Sequence, residues 1–205
     1  MKLHAAVLIA AALASALPAA AAPAGKPGAP EASRVLAGNY KVDGHHTQVV
    51  WTVDHMGVSP LTGALSAKEG TLTLDPKNPS AAKVSVTFTV ADMTTSAPAF
   101  TTHLLSADFF EATKFPTATF VSTSVKATGN TAKISGDLTI KGVTKPVVLD
   151  AKFFGAGPNA QSKKLNIGFS GTTSIKRSDF GLGFGVPVVG DDLELRVNAA
   201  FERLD

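Results

Sequence analysis

The chain reads as an all-β protein of antiparallel strands with one short helix packed at an end. Three observations predict this. Beyond residue 38 the apolar residues recur with period two, the spacing of strands that bury one face. Clusters of Gly, Pro, Asn and Asp separate those runs at short intervals. One segment, Pro98 to Ala107, departs from the alternation. There Ala99, Phe100, His103 and Leu104 stand at near-helical spacing behind a proline suited to a first helical turn.

The elements follow in chain order. A basic start, Met1-Lys2-Leu3-His4, precedes an apolar run from Ala5 to Leu17, then Pro18 and the small residues Ala19 to Ala22. This is the layout of a secretory signal. The run is well short of the roughly 20 residues that a membrane-spanning helix needs. Signal peptidase disfavours proline just after the cut, so Pro23 points to cleavage after Ala20 or Ala21. Residues 1–21 are therefore expected to be a signal peptide. Residues 22–38, rich in Ala, Pro and Gly without an apolar period, are expected to be a flexible leader. Residues 39–205 are left as one folded domain, long enough for a single core.

Within that domain Val49, Trp51, Val53 and His55 share a face, as do Val84, Val86, Phe88 and Val90. Ala118, Phe120 and Ser122 form another inward set, followed by Ile134, Gly136, Leu138 and Ile140, then Val147, Leu149, Ala151 and Phe153. Leu165, Ile167 and Phe169 lead into Gly171, Thr173 and Ile175, and the last run carries Leu193, Leu195, Val197, Ala199 and Phe201. Turns are expected at Asp75–Pro79, Thr128–Asn130, Lys141–Gly142 and Gly155–Asn159. With Gly63–Ala67 and Gly70–Leu74 taken as separate strands, the count is eight or nine. Short turns between such strands favour a closed barrel or a sandwich over a parallel sheet, and closure removes exposed edges.

Composition narrows the function classes. The chain has no cysteine, which excludes disulfides and the lipid anchor of a bacterial lipoprotein. Its 19 Lys and Arg are scattered, without the basic patch of a nucleic-acid binder, so no nucleic-acid partner is expected. The aromatics are 12 Phe against one Trp and one Tyr, side chains suited to dry places. His45, His46, His55 and His103 lack zinc-ligand spacing, and no metal site is expected. No G-x-S-x-G elbow accompanies a base. Asp179-Phe180-Gly181 stands without the other parts of a kinase. Gly181, Gly183 and Gly185 alternate without a strand-to-helix setting, as a flexible loop over a rim would. Arg177 and Asp179, two apart at a strand end, are read as groups that fix that loop through backbone or carboxylate, with contact to a polar ligand head as the competing reading.

Several ordered motifs then carry a resemblance. They are Tyr40-Lys41-Val42-Asp43, His46-Thr47, Val53-Asp54-His55-Met56-Gly57, His103 to Phe110, Lys114-Phe115-Pro116, Gly136 to Val147, Arg177-Ser178-Asp179-Phe180-Gly181 and Val189-Gly190-Asp191-Asp192. From Tyr40 to Glu202 the chain resembles the YceI-like family of periplasmic, lipocalin-like, polyisoprenoid-binding proteins. The resemblance implies an eight-stranded antiparallel barrel around an elongated apolar cavity, in the periplasm, holding a long-chain isoprenoid, a quinone or another lipid. No resident cofactor and no enzymatic activity are implied. In one respect the chain departs from the family: Phe100-Thr101 stands where an Arg-Asp pair is usual, and a more apolar site is expected.

The ligand-lining residues expected on these grounds are Trp51, Val53, Phe88, Phe120, Phe153 and Phe169 on strands and Phe109, Phe110 and Phe115 near the helix, with His55, His103 and Arg177 as polar groups. The partner is a long-chain lipid, carried, stored or sequestered. Transient contact with a membrane surface and a homodimer stay open. The competing readings are an enzyme using His55 or His103 as a base, for which no complete catalytic set is present, and a ligand-free structural or stress-related protein.

Overall fold

The computed structural model describes residues 25–205; the expected signal peptide lies outside the described residues. Ten strands and one helix follow in order: β1 Gly38–Val42, β2 Gln48–His55, β3 Ser59–Leu74, β4 Lys83–Thr89, β5 Thr94–Thr95, α1 Pro98–Leu105, β6 Thr117–Thr128, β7 Thr131–Ile140, β8 Val143–Pro158, β9 Leu165–Lys176 and β10 Val189–Arg203. All pairings are antiparallel. The sheet runs β2-β3-β4-β6-β7-β8-β9-β10, and β10 returns to β2, closing an eight-stranded barrel. The β1 strand continues the β2 position in the wall, since both lie between β3 and β10.

The break between β1 and β2 has a local cause. Asp43 accepts from the His45 backbone N–H at 3.1 Å and pairs with His46 Nδ1 at 2.7 Å. Thr47, 1% exposed, repairs the interrupted ladder: its hydroxyl donates to the Ala200 carbonyl at 3.0 Å and accepts from the Ala200 N–H at 2.9 Å.

Register shifts bend the wall. They fall between Ala67 and Glu69, Ser122 and Ser124, Phe153 and Gly155, and Val189 and Leu193. One extra residue exchanges the two faces of a strand. The inward residues of β3 are therefore Leu61 and Leu65 before the shift and Leu72 and Leu74 after it, and those of β6 change from Ala118 and Phe120 to Val125 and Ala127. This corrects the expectation of two strands at Gly63–Ala67 and Gly70–Leu74: the alternation is broken at Lys68, but the strand is not.

A second correction concerns the leader and the turn expected at Gly155–Asn159. The β8 strand runs through Gly155, Ala156 and Gly157, and Asn159 makes the turn, accepting from the Gln161 and Ser162 N–H groups at 2.8 and 3.1 Å. Leader residues occupy the space beside these glycines. Ala29 and Ala156 exchange backbone hydrogen bonds at 3.1 and 2.9 Å. A side chain on Gly157 would begin 2.4 Å from the Pro27 carbonyl. Val35 is buried in the core, and the Tyr40 hydroxyl donates to the Leu36 carbonyl. From Pro27 onward the leader is thus packed against the barrel.

Helix α1 begins at Pro98 as predicted, ends at Leu105 rather than Ala107, and lies at the end of the barrel where β2 turns into β3 and β9 into β10. The opposite end carries the β3–β4, β6–β7 and β8–β9 connections.

Candidate functional site: a two-lobed apolar interior

The inward faces do not meet at the barrel axis. They leave two cavities end to end. The lobe at the α1 end has a volume of about 410 Å³, and the lobe at the opposite end about 270 Å³. Val49, Phe88 and Leu138 line both, which makes them the waist between the lobes. Two glycines set the width. A Cβ on Gly63 would lie 2.2 Å from Trp51 Cζ2, and one on Gly136 would lie 2.5 Å from Phe120 Cζ. Each glycine lets an aromatic ring lie flat against the wall instead of filling the lumen.

Trp51, Val53, His55, His103, Phe109, Phe110 and Arg177 line the α1 lobe; Phe120, Phe153 and Phe169 line the far lobe; Phe88 stands at the waist. Phe115 does not reach either. Its ring packs against Gly142 in the β7–β8 turn, with Lys114 Nζ 5.1 Å from the ring centroid. Both residues of that turn, Lys141 and Gly142, have positive φ. Phe115 buttresses a strained turn, and its place among the expected lining is corrected accordingly.

Arg177 is 5% exposed and held on all sides by backbone oxygen. Nε donates to Gly190 at 2.6 Å, Nη1 to Phe184 at 2.8 Å and also to Leu182, and Nη2 to Val189 at 2.9 Å. A guanidinium has five N–H donors, so this set takes up nearly all of them. Burial lowers its pKa, and the Asp191 carboxylate opposes that shift. Asp191, not Asp179, is the acidic partner of this region. It accepts from the Ser178 hydroxyl at 2.7 Å and the Ser178 N–H at 2.8 Å, and these bonds hold its pKa below the ordinary value. The glycine-alternating loop expected to be flexible is therefore fastened at the Leu182 and Phe184 carbonyls and tied through Arg177 to Val189 and Gly190 of β10.

His103 stands at the mouth of the α1 lobe. Its Nε2 is 3.1 Å from Asp108, and its ring meets Phe109 and Phe184 edge to face, at centroid separations of 5.1 and 5.8 Å. Phe184 is absent from the sequence-derived site, although its position between two glycines marked it as a lone apolar side chain in a loop. Phe100, Leu104, Leu138, Leu182, Val197 and Phe201 also line the lobes. Leu138, Val197 and Phe201, on strands, were legible as inward positions although the expected lining does not include them. Phe100 lines the α1 lobe, while the Thr101 hydroxyl turns to the Thr95 hydroxyl at 2.9 Å.

A family profile described as "YceI-like domain" matches residues 40–201. The protein YceI of Shigella flexneri is 40% identical over 169 residues, covering 82% of this chain and 88% of its own. Among solved structures, BcnA of Burkholderia cenocepacia is similar with a TM-score of 0.65 at 27% identity, over 78% of this chain and 98% of its own. A domain from Saccharophagus degradans, described as polyisoprenoid-binding and implicated in plant cell wall breakdown, shares the fold at 14% identity and a TM-score of 0.57, over 82% of this chain and 99% of its own. With a profile spanning nearly the whole barrel and a relative at this identity, the chain belongs to the YceI-like domain family.

Proposed function

We propose that this protein is a non-catalytic periplasmic binding protein that encloses a long apolar ligand, a polyisoprenoid, an isoprenoid quinone or a similar lipid, for transport, storage or sequestration. The observation that carries the reading is the pair of apolar lobes joined at Val49, Phe88 and Leu138. Two chambers in line fit a ligand that is long and narrow. Burial of an alkyl chain contributes about 0.8 kcal/mol per methylene, so few polar contacts are needed. Ordering and desolvation offset part of that gain.

The ionisable side chains of the lining, His55, His103 and Arg177, all stand in the α1 lobe. A ligand with one polar end would place it there and extend its tail toward Phe120, Phe153 and Phe169. The signal-like N-terminus and family membership support the periplasmic assignment. The polyisoprenoid-binding domain with the same fold supports the ligand class.

Native mass spectrometry of gently purified protein tests the proposal. Expected is an adduct of lipid mass, or uptake of added long-chain quinone or prenyl lipid. Protein that carries no lipid and takes up none overturns it.

A further inference from the structure

The charged residues of the barrel divide between its two ends. Around the mouth of the far lobe, lysines sit next to lining residues and point outward by the alternation of the strands. Lys126 stands between Val125 and Ala127, and Lys152 between Ala151 and Phe153, all four neighbours lining the lobe. Lys77 follows Pro76, and Lys83 follows Ala82, both also lining. Lys163 and Lys164 lie in the β8–β9 turn at the same end. All six are exposed, and none makes an ion pair among the described residues. Most carboxylates at this end are already committed: Glu31 to Arg34, Asp150 to Lys133, Glu202 to Lys41 and Asp205 to Arg203.

The α1 end has the opposite character. Asp54, Asp92, Asp108, Asp179 and Asp192 are exposed there and outnumber the exposed Lys114, Lys145 and Lys176, of which Lys114 pairs with Glu111 and Lys176 with Asp192, and Arg177 is buried beneath its loop. The barrel is thus a dipole along its own axis, with positive charge surrounding one cavity mouth.

We infer that the mouth of the far lobe is a docking surface for an anionic lipid bilayer. Charge complementarity selects the occupant: the potential of an anionic membrane attracts the lysine ring and repels the aspartates at the other end. It therefore orients the barrel as well as holding it, with the far-lobe mouth toward the lipid. Proline side chains at the rim, Pro76 and Pro79, are exposed and line the same opening. A lipid tail leaving the bilayer would meet this opening first. The docking itself depends on the ring of charge and not on which lipid the barrel holds.

Vesicle co-sedimentation with the purified protein tests this. The protein should pellet with vesicles of phosphatidylglycerol and phosphatidylcholine, stay in solution with phosphatidylcholine alone, and be released by raised salt. The triple variant Lys126→Glu, Lys152→Glu, Lys163→Glu should bind the anionic vesicles about a hundredfold more weakly, or worse. Lys114→Glu combined with Lys145→Glu places reversed charge at the opposite end and should bind nearly as the parent does. Circular dichroism establishes that each variant is folded. Failure of the parent to bind anionic vesicles, or equal losses in the two variants, overturns the inference. Native mass spectrometry of the same samples reads the cavity separately, so an empty barrel that still docks would overturn the lipid-holding proposal alone.

Discussion

The guanidinium of Arg177 donates from Nε to the Gly190 carbonyl at 2.6 Å, tying the end of β9 to the start of β10 across the loop that separates them. The same side chain holds Leu182, Phe184 and Val189, so one buried cation organises the whole rim of the α1 lobe. Of these carbonyls that of Leu182 is buried and the others are part-buried.

Arg177→Ala is therefore expected to be costly. It takes the donor from the buried Leu182 carbonyl and from the part-buried carbonyls of Phe184, Val189 and Gly190, and a buried carbonyl left unpaired costs about 1–3 kcal/mol. A loss of at least about 3 kcal/mol is expected from urea unfolding. Arg177→Lys should recover only part of it, because an ammonium cannot present the planar fork that reaches four carbonyls. An undiminished midpoint for Arg177→Ala would show the network to be dispensable.

Acid should loosen the same rim through Asp191. Its folded pKa is depressed by the Ser178 hydroxyl and N–H. A depressed carboxylate contributes stability that is present above the unfolded value, about 3.9, and lost as pH falls through the lower folded value. Asp191→Asn should be less stable than the parent near neutral pH, and the gap should close as pH falls through the depressed folded value. Urea midpoints measured across that range check the convergence; a constant gap at every pH would contradict it.

Gly136 and Phe120 are coupled by contact. A methyl on Gly136 begins 2.5 Å from Phe120 Cζ, so Gly136→Ala forces the ring toward the lumen. The expected cost is about 1–3 kcal/mol. Adding Phe120→Leu should relieve the ring's share of it but not the approach of the methyl to the Val121 carbonyl at 2.7 Å, and a double-mutant cycle by thermal or urea unfolding reads the coupling. Additive effects would place the strain elsewhere.

The waist makes a prediction about ligand length. Leu138→Trp narrows the passage between lobes, at an overpacking cost of about 1–3 kcal/mol. Short prenyl compounds should still bind in the α1 lobe while long ones are lost. Native mass spectrometry with a homologous series of prenyl lipids reads this; a uniform loss of all lengths would argue against two serial chambers.

Trp51 is the chain's single tryptophan and lines the α1 lobe. A quinone entering that lobe should quench its fluorescence saturably, and Trp51→Phe should abolish the signal while binding persists by mass. Binding without any change in fluorescence would put the ligand in the far lobe alone.

Most of the wall was legible from the chain itself. Period-two alternation is a local property, and it identified the inward sets of β2, β4, β7 and β10 and the exception at α1. It also placed seven of the expected lining residues, Trp51, Val53, His55, Phe88, Phe120, Phe153 and Phe169, where the two lobes have them, while His103, Phe109, Phe110 and Arg177 stand outside the alternating runs. Phe115 went astray because proximity in sequence to Phe109 and Phe110 says nothing about a ring that turns to Gly142 instead. Other features depend on residues far apart in the chain. The bulge at Lys68 is a mismatch between β3 and β4, visible along β3 only as a broken period. The leader packs because Gly155 and Gly157, well over a hundred residues away, leave room beside β8. The partners of Arg177 are backbone oxygens, which carry no mark in the sequence. Local spacing determined which side chains face inward; closure of the barrel decided how far apart they stand, and hence that the interior is two chambers with a waist.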